Sequence, residues 1–374
     1  MKKTVQNLAG RCWNLIGQSK GMKSLMIIAL SISMVSCSND EVESVNTSVE
    51  KPKEEVPAEE KSNTGKKFTN YYSLKKWMER IPNYTDITKM TIPGTHNSGA
   101  LFDYKAGPIG LQNAGKTQNY NITAQLNMGV RFLDIRCKIV KNKLVIYHGI
   151  ADQKQTLYDV LTVVEKFLSE NPSEFIFLSI KKEDDKDSLA EFQRLLRSYF
   201  SNNKFWDRVY KNNNGFPYLK DVRGKIVLIK RFGGFDEAGY SAAYGWMDDS
   251  ENFIIRNNNY SFNVQDAYIV TYTDDKVNNS KKQMARAGNS TNKNELFLNF
   301  YSGYKKMFGR IPNVRSVSTY VNPKLNSYVA KTKSPQSGFG VCILDFIDES
   351  LSKTIVNKNI FQGDPVDFVE CDEF

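Results

Sequence analysis

From about residue 70 the chain alternates short apolar runs with helix-like segments, and this alternation limits the folds open to it. Eight runs read as strands: 87–92, 129–137, 143–147, 174–180, 225–231, 262–268, 295–300 and 339–345. Several are rich in Ile, Val and Phe, as strands buried on both faces are. After the third run Thr156 and Asp159 offer a capping box. Leu157, Val160, Leu161 and Val164 follow at helical spacing, and Asn171-Pro172 stops the helix. Further helices are expected near 187–199, 275–286 and 321–331. The pattern predicts an α/β fold with a parallel sheet, and eight strands predict a closed (β/α)8 barrel of TIM type. Some connections, such as that between the second and third runs, are too short for a helix. The barrel is therefore expected to be distorted and irregular.

In such a barrel the chemistry sits at the C-terminal ends of the strands. The chain has only two histidines, His96 and His148, and each ends a strand-like run beside glycine. Met90-Thr91-Ile92 leads into Pro93-Gly94-Thr95-His96-Asn97-Ser98-Gly99, and Leu144-Val145-Ile146-Tyr147 leads into His148-Gly149. Between them, Asp134 and Arg136 share one face of the second run. They either pair with each other or reach a ligand, because polar groups inside a barrel are otherwise costly. Lys181, Arg231, Asp266, Tyr268 and Asp345 close other runs. Each is a weak signal alone, since charged residues often end strands. Together they gather cations, carboxylates and both histidines at one end, which suits an anionic, phosphorylated substrate.

Phosphodiester cleavage without a metal needs a base for the nucleophile and an acid for the leaving group, and histidine serves both near neutral pH. An arginine offsets charge on the transition state, and a carboxylate orients the base. His96, His148, Arg136 and Asp345 fill these roles. No metal-ligand spacing is present, so no cofactor is expected.

The N-terminal part is of a different kind. Met22-Lys23, the apolar run Leu25 to Val35 and Ser36-Cys37 describe an export signal too short to span a bilayer. Residues 1–37 read as a lipoprotein signal with Met22 as the initiator and Cys37 as the lipidated N-terminus; a plain secretion signal is the alternative. Residues 38–66, rich in Glu, Lys, Ser, Asn and Pro, read as a disordered tether, and 67–374 as the barrel. Location at the outer membrane or cell surface, or secretion, follows. Five of the 51 basic residues and none of the 41 acids lie in the first 37, so the remainder carries a net +5. That charge suits an anionic lipid surface and is no nucleic-acid footprint. Cys137, Cys342 and Cys371 are left; a Cys137–Cys342 bridge and buried free thiols are both open.

The segments TIPGTHNSGA, GVRFLDIRC, the HG of YHG, NPSEFIFLSIKKE, GKIVLIKR, VQDAY and the last LDF together resemble the bacterial phosphatidylinositol-specific phospholipase C family. They occur in family order over residues 70 to 350. The resemblance implies a distorted TIM barrel. His96 would be the base on the inositol 2-hydroxyl, assisted by Asp345, and His148 the acid for the diacylglycerol oxygen. Arg136 would contact phosphate, Lys181, Arg231 and Asp266 the inositol hydroxyls, and Tyr268 the face of its ring. The partner would be phosphatidylinositol, or its glycosylated form, at a membrane surface; the protein is expected to act as a monomer. Asn97 stands where many bacterial members have an Asp that helps position the acid. Arg136 and Lys181 stand where the calcium-dependent members have acids, so calcium independence is expected. Leu101 to Gln118 lacks the membrane-inserting tryptophan of some members; Phe102, Tyr104, Ile109 and Leu111 would serve there, or pack as an ordinary loop. A barrel glycerophosphodiester phosphodiesterase and an inactive lipid- or glycan-binding protein are the competing readings.

Overall fold

Eight parallel strands curl around an apolar interior among the described residues. The computed structural model describes residues 73–104, 114–201, 203–307 and 311–361, all within the unit Phe68–Phe374. The expected signal, the tether, Cys37, Cys371, Ile109 and Leu111 lie outside the described residues.

In chain order the strands are β1 (Thr91–Thr95), β2 (Phe132–Val140), β3 (Lys143–His148), β4 (Ala151–Thr156), β5 (Ile176–Lys182), β6 (Ile226–Arg231), β7 (Tyr240–Ser241), β8 (Ser250–Arg256), β9 (Ser261–Asp266), β10 (Glu295–Phe300), β11 (Lys305–Met307), β12 (Ile311–Asn313) and β13 (Gly340–Leu344). The helices are α1 (Ile122–Asn127), α2 (Leu157–Glu170), α3 (Leu189–Phe200), α4 (Asn203–Trp206), α5 (Leu219–Val222), α6 (Thr273–Gly288), α7 (Val314–Lys331) and α8 (Glu349–Val356). The capping box at Thr156 and Asp159 is formed, and α2 ends at Asn171 as its sequence dictates.

The sheet runs β7-β6-β5-β2-β1-β13-β10-β9-β8, parallel except that β8 is antiparallel to β9. The barrel is thus a distorted TIM barrel, open between β7 and β8. Side chains bridge that seam: the Ser241 N–H donates to Tyr260 Oη at 2.7 Å, and Asn257 Nδ2 donates to the Ser241 carbonyl at 3.0 Å.

Seven of the eight expected strands stand in the barrel. The exception is 143–147. It is β3, which turns back antiparallel to β2 and pairs with β4 outside the barrel. The two-residue β7, with no apolar run to announce it, takes the eighth place. The expected strand at 87–92 begins only at Thr91, because Asp86 caps a short 3-10 turn over Ile87–Lys89. Cys137 and Cys342 are buried free thiols, so the bridge is not formed.

Strand alternation explains the interior. Ile92, Phe132, Phe177, Val227, Ile229, Val264, Leu298 and Ile343 are buried in one cluster. Stepping two residues along a strand keeps the same face, and beyond the apolar layers that face carries His96, Asp134, Arg136, Lys181, Arg231, Asp266 and Asp345. The pairing puts Arg136, Lys181 and Arg231 in one row across β2, β5 and β6. At the opposite end Trp77 is buried in the same cluster. The turn that carries it is held by the fully buried ion pair of Arg131 and Glu174, with 2.8 Å between Arg131 Nη2 and Glu174 Oε2. Arg131 Nη2 donates to the Lys75 carbonyl, and Glu174 accepts the Met78 N–H.

Candidate active site

The C-terminal ends of the strands surround a cavity of about 470 Å³. His96, Arg136, His148, Lys181, Arg231, Asp266, Tyr268 and Asp345 all line it, so the residues picked from separate strand ends come together. Asn97 is buried beside them.

His96 follows β1. Its Nδ1 lies 2.8 Å from Asp345 Oδ1, and the Asp345 carboxyl is almost wholly buried. This contact makes Nδ1 the donor and leaves the Nε2 lone pair toward the cavity. Asp345 is held in turn by Asn322, whose Nδ2 donates to its backbone carbonyl at 2.8 Å. The His96 carbonyl receives Gln118 Nε2 at 3.0 Å. Asn97, at a positive φ of 42°, sits 3.3 Å from His96 Nε2 through its Nδ2. The Asn97 amide thus lies beside the His96 ring.

His148 reaches the cavity by a route other than the expected barrel strand. Because β3 returns antiparallel along the end of β2, its last residue comes back to the barrel mouth beside Arg136. Gly149, at a φ of +54°, then makes the tight turn into β4. His148 Nδ1 lies 2.9 Å from the Gly115 carbonyl. Burial, reinforced by His96 and Arg136, pushes its pKa down to about 4, against the opposing pull of the Gly115 carbonyl and Glu183. The two imidazole rings face each other edge to face with centroids 6.0 Å apart.

Asp134 and Arg136 pair with each other. Asp134 Oδ2 receives Arg136 Nε at 3.1 Å and the Asn97 N–H at 3.2 Å, while Arg231 Nη1 approaches Oδ1 at 3.5 Å. Burial alone would raise its pKa, but Arg136 and Arg231 outweigh it and hold the carboxyl below the usual carboxylate range. Arg136 still faces the cavity, so it pairs below and is open above.

Glu183 is a site residue that the sequence reading did not single out. It follows the last residue of β5, two positions after Lys181. It lies 3.3 Å from Lys181 Nζ and 3.9 Å from Arg136 Nη1, and it accepts the Gly149 N–H at 2.9 Å. Burial would raise its pKa, yet the two cations and the Gly149 N–H hold it down at about 2. Burial lowers the Lys181 pKa, with the Arg136 charge reinforcing it. Trp246 was also missed, since nothing in its loop is periodic. Its ring carries the Arg231 guanidinium 3.5 Å from the centroid, and its Nε1 donates to Asp266 Oδ2 at 3.1 Å. Tyr268 donates its hydroxyl to Asp248 at the cavity mouth. Phe102 is exposed and Tyr104 is half-buried in the segment after β1.

The chemistry available is that of two histidines with different partners, a row of cations and several carboxylates. Among the described residues no group of three or more His, Cys, Asp or Glu could hold a metal ion.

The family model described as "Phosphatidylinositol-specific phospholipase C, X domain" matches residues 90–232. The 1-phosphatidylinositol phosphodiesterase of Staphylococcus aureus strain Newman is 32% identical over 277 residues, spanning 71% of this chain and 87% of the relative. The relative of the same description from Listeria monocytogenes is 27% identical over 313 residues, spanning 80% of this chain and 90% of its own. A solved mutant of the Staphylococcus aureus phosphatidylinositol-specific phospholipase C matches the fold with a TM-score of 0.67 at 28% identity, covering 77% of this chain and 100% of that one. The Listeria monocytogenes enzyme matches with a TM-score of 0.63 at 25% identity, covering 78% of this chain and 100% of that one.

Proposed function

We propose that this chain, which belongs to the phosphatidylinositol-specific phospholipase C family, cleaves phosphatidylinositol at a membrane surface to diacylglycerol and inositol 1,2-cyclic phosphate. The observation that carries the reading is the histidine pair. The rings are 6.0 Å apart across one cavity, one backed by a carboxylate and the other by a backbone carbonyl. Unlike partners push two like groups into unlike roles.

His96 Nε2 takes the proton of the inositol 2-hydroxyl, and the Asp345 carboxylate stabilises the imidazolium that forms. The 2-oxygen attacks phosphorus and closes the five-membered ring. The bond from phosphorus to the diacylglycerol oxygen breaks, and His148 supplies that oxygen with a proton. Arg136, fixed by Asp134, faces the charge that grows on the phosphoryl oxygens. Lys181, Arg231 and Asp266 bind inositol hydroxyls, and Tyr268 covers the ring.

His148 must be protonated to act, while burial beside His96 and Arg136 favours its neutral form. A bound phosphate supplies the negative charge that offsets His96 and Arg136 and restores the proton. Calcium is not required in this mechanism. Arg136 and Lys181 occupy the cavity with the charge that a calcium ion would bring, and they would repel one.

Export belongs to the same proposal, with residues 1–37 as the signal and Cys37 as the lipidated residue. It is supported by the Lys23, Leu25–Val35 and Ser36-Cys37 pattern alone. The test of the activity is release of diacylglycerol from phosphatidylinositol vesicles, with phosphatidylcholine vesicles as control. Turnover of the first and not the second is expected. Turnover of neither, or of water-soluble glycerophosphodiesters alone, would overturn the proposal.

A further inference from the structure

A buried cation lies behind the site, on the outer side of the barrel wall. Lys276, in the first turns of α6, is only 2% exposed. Its neighbours along the same helix face, Asn279, Ser280 and Gln283, are buried too, so α6 packs on the sheet through a polar stripe. Lys276 Nζ donates to the Ala267 carbonyl at 2.6 Å and to Gln265 Oε1 at 3.1 Å. Both partners are neutral oxygens. A buried ammonium without a contacting carboxylate is costly, and its retention needs a reason.

That reason lies in what the two oxygens hold. The ladder of β9 ends at Asp266, and beyond it the backbone is held largely by side chains. The Ala267 N–H donates to Gln265 Oε1 at 3.0 Å, so Lys276 and Gln265 grip the two sides of one residue. Gln265 is itself anchored, its Nε2 donating to Asn299 Oδ1 at 2.9 Å and to the Phe300 carbonyl at 2.8 Å. Asp266 and Tyr268, on either side of Ala267, both point into the cavity.

We propose that Lys276 is a positioning residue, which fixes Ala267 from outside the barrel and thereby sets the directions of Asp266 and Tyr268 toward the substrate's ring. This rests on the inositol-binding role proposed for those two residues. The charge adds to the grip, because a charge-assisted hydrogen bond is stronger than a neutral one. Burial lowers the Lys276 pKa to about 8, against the pull of Asp266, Asp345 and Asp249. Those three acids, from β9, the end of β13 and the loop before β8, are the charged groups that face it. The grip therefore weakens as pH rises through the lysine's own titration.

The test uses kinetics on phosphatidylinositol, competitive inhibition by myo-inositol, and thermal melting. For Lys276→Met, KM and the inhibition constant should each rise about tenfold, as losing one strong buried hydrogen bond implies, with kcat changed less than threefold. Lys276→Arg, which keeps charge and donors, should recover at least half of the loss. Unchanged KM and inhibition in a folded Lys276→Met would overturn the proposal, as would equal losses in KM and kcat. If Lys276→Met does not fold, Lys276→Arg decides. Inhibition of the wild type should weaken above pH about 8, and arginine, which does not titrate there, should abolish that limb. Persistence of the limb in Lys276→Arg would assign it to another group and overturn the proposal. A wild type that neither turns over phosphatidylinositol nor is inhibited by myo-inositol would instead sink the functional reading on which this one rests.

Discussion

Replacing Asp134 by alanine should be among the most damaging single changes in the barrel. Its carboxylate is fully buried and serves Arg136 Nε at 3.1 Å, Arg231 Nη1 at 3.5 Å and the Asn97 N–H at 3.2 Å. Truncation leaves two guanidiniums without their shared counter-charge. Breaking a buried ion pair from one side costs about 3–5 kcal/mol, and an orphaned buried N–H adds about 1–3 kcal/mol. The loss should therefore be about 4 kcal/mol or more, against a total stability of about 5–15 kcal/mol. Urea unfolding reads it as a lower midpoint at unchanged slope. The pH dependence has a definite sign. The folded-state pKa of Asp134 is depressed, so its stabilisation is present above the unfolded value and lost as pH falls through the folded one. The gap between wild type and variant should therefore be full above pH about 4 and begin to narrow only below it, as the carboxyl of the unfolded chain takes up its proton. The double variant Asp134→Ala, Arg136→Met removes one stranded charge and should recover about 1–3 kcal/mol relative to additivity. A single-variant cost under about 1 kcal/mol, or strict additivity in the double variant, would refute the electrostatic reasoning.

Three further outcomes are expected. His96→Ala and His148→Ala should each lower kcat by about 100- to 10,000-fold with the fold intact by circular dichroism; full activity in either removes that histidine from the mechanism. Asn97→Asp should be tolerated or raise turnover, and a steady-state assay showing a large loss would assign Asn97 a separate task. At pH 6, binding of inositol 1,2-cyclic phosphate, a diester with no ionisation of its own near that pH, should take up a proton, because its bound charge raises His148 from its value of about 4. Calorimetry in buffers of different ionisation enthalpy measures this, and proton release would contradict it.

Much of this architecture was legible because strand periodicity and barrel geometry are both local rules. Apolar runs marked seven barrel strands, and counting on by two carried the inner face from Ile92 to His96 and from Ile343 to Asp345. The eighth place could not be read. Tyr240–Ser241 is two residues long and is held by its partner rather than by its own composition. His148 was found as a strand-end histidine, but its strand is a hairpin arm whose direction depends on the turn at Lys141-Asn142, both at positive φ. The Asn97 side chain lies 3.3 Å from His96 Nε2 on a backbone at a φ of 42°, and neither feature is visible in the sequence. Glu183 could have been found by one more step of the same alternation. Trp246 and Lys276 could not, since each acts through contacts made across the chain.

In the proposed mechanism His96 and His148 cleave by acid–base chemistry without a metal. Phosphorus NMR of phosphatidylinositol turnover in excess chelator tests it most directly. A resonance of inositol 1,2-cyclic phosphate should appear first, at the same rate with and without chelator. A linear phosphate as the first product, or activity restored only by added calcium, would contradict it.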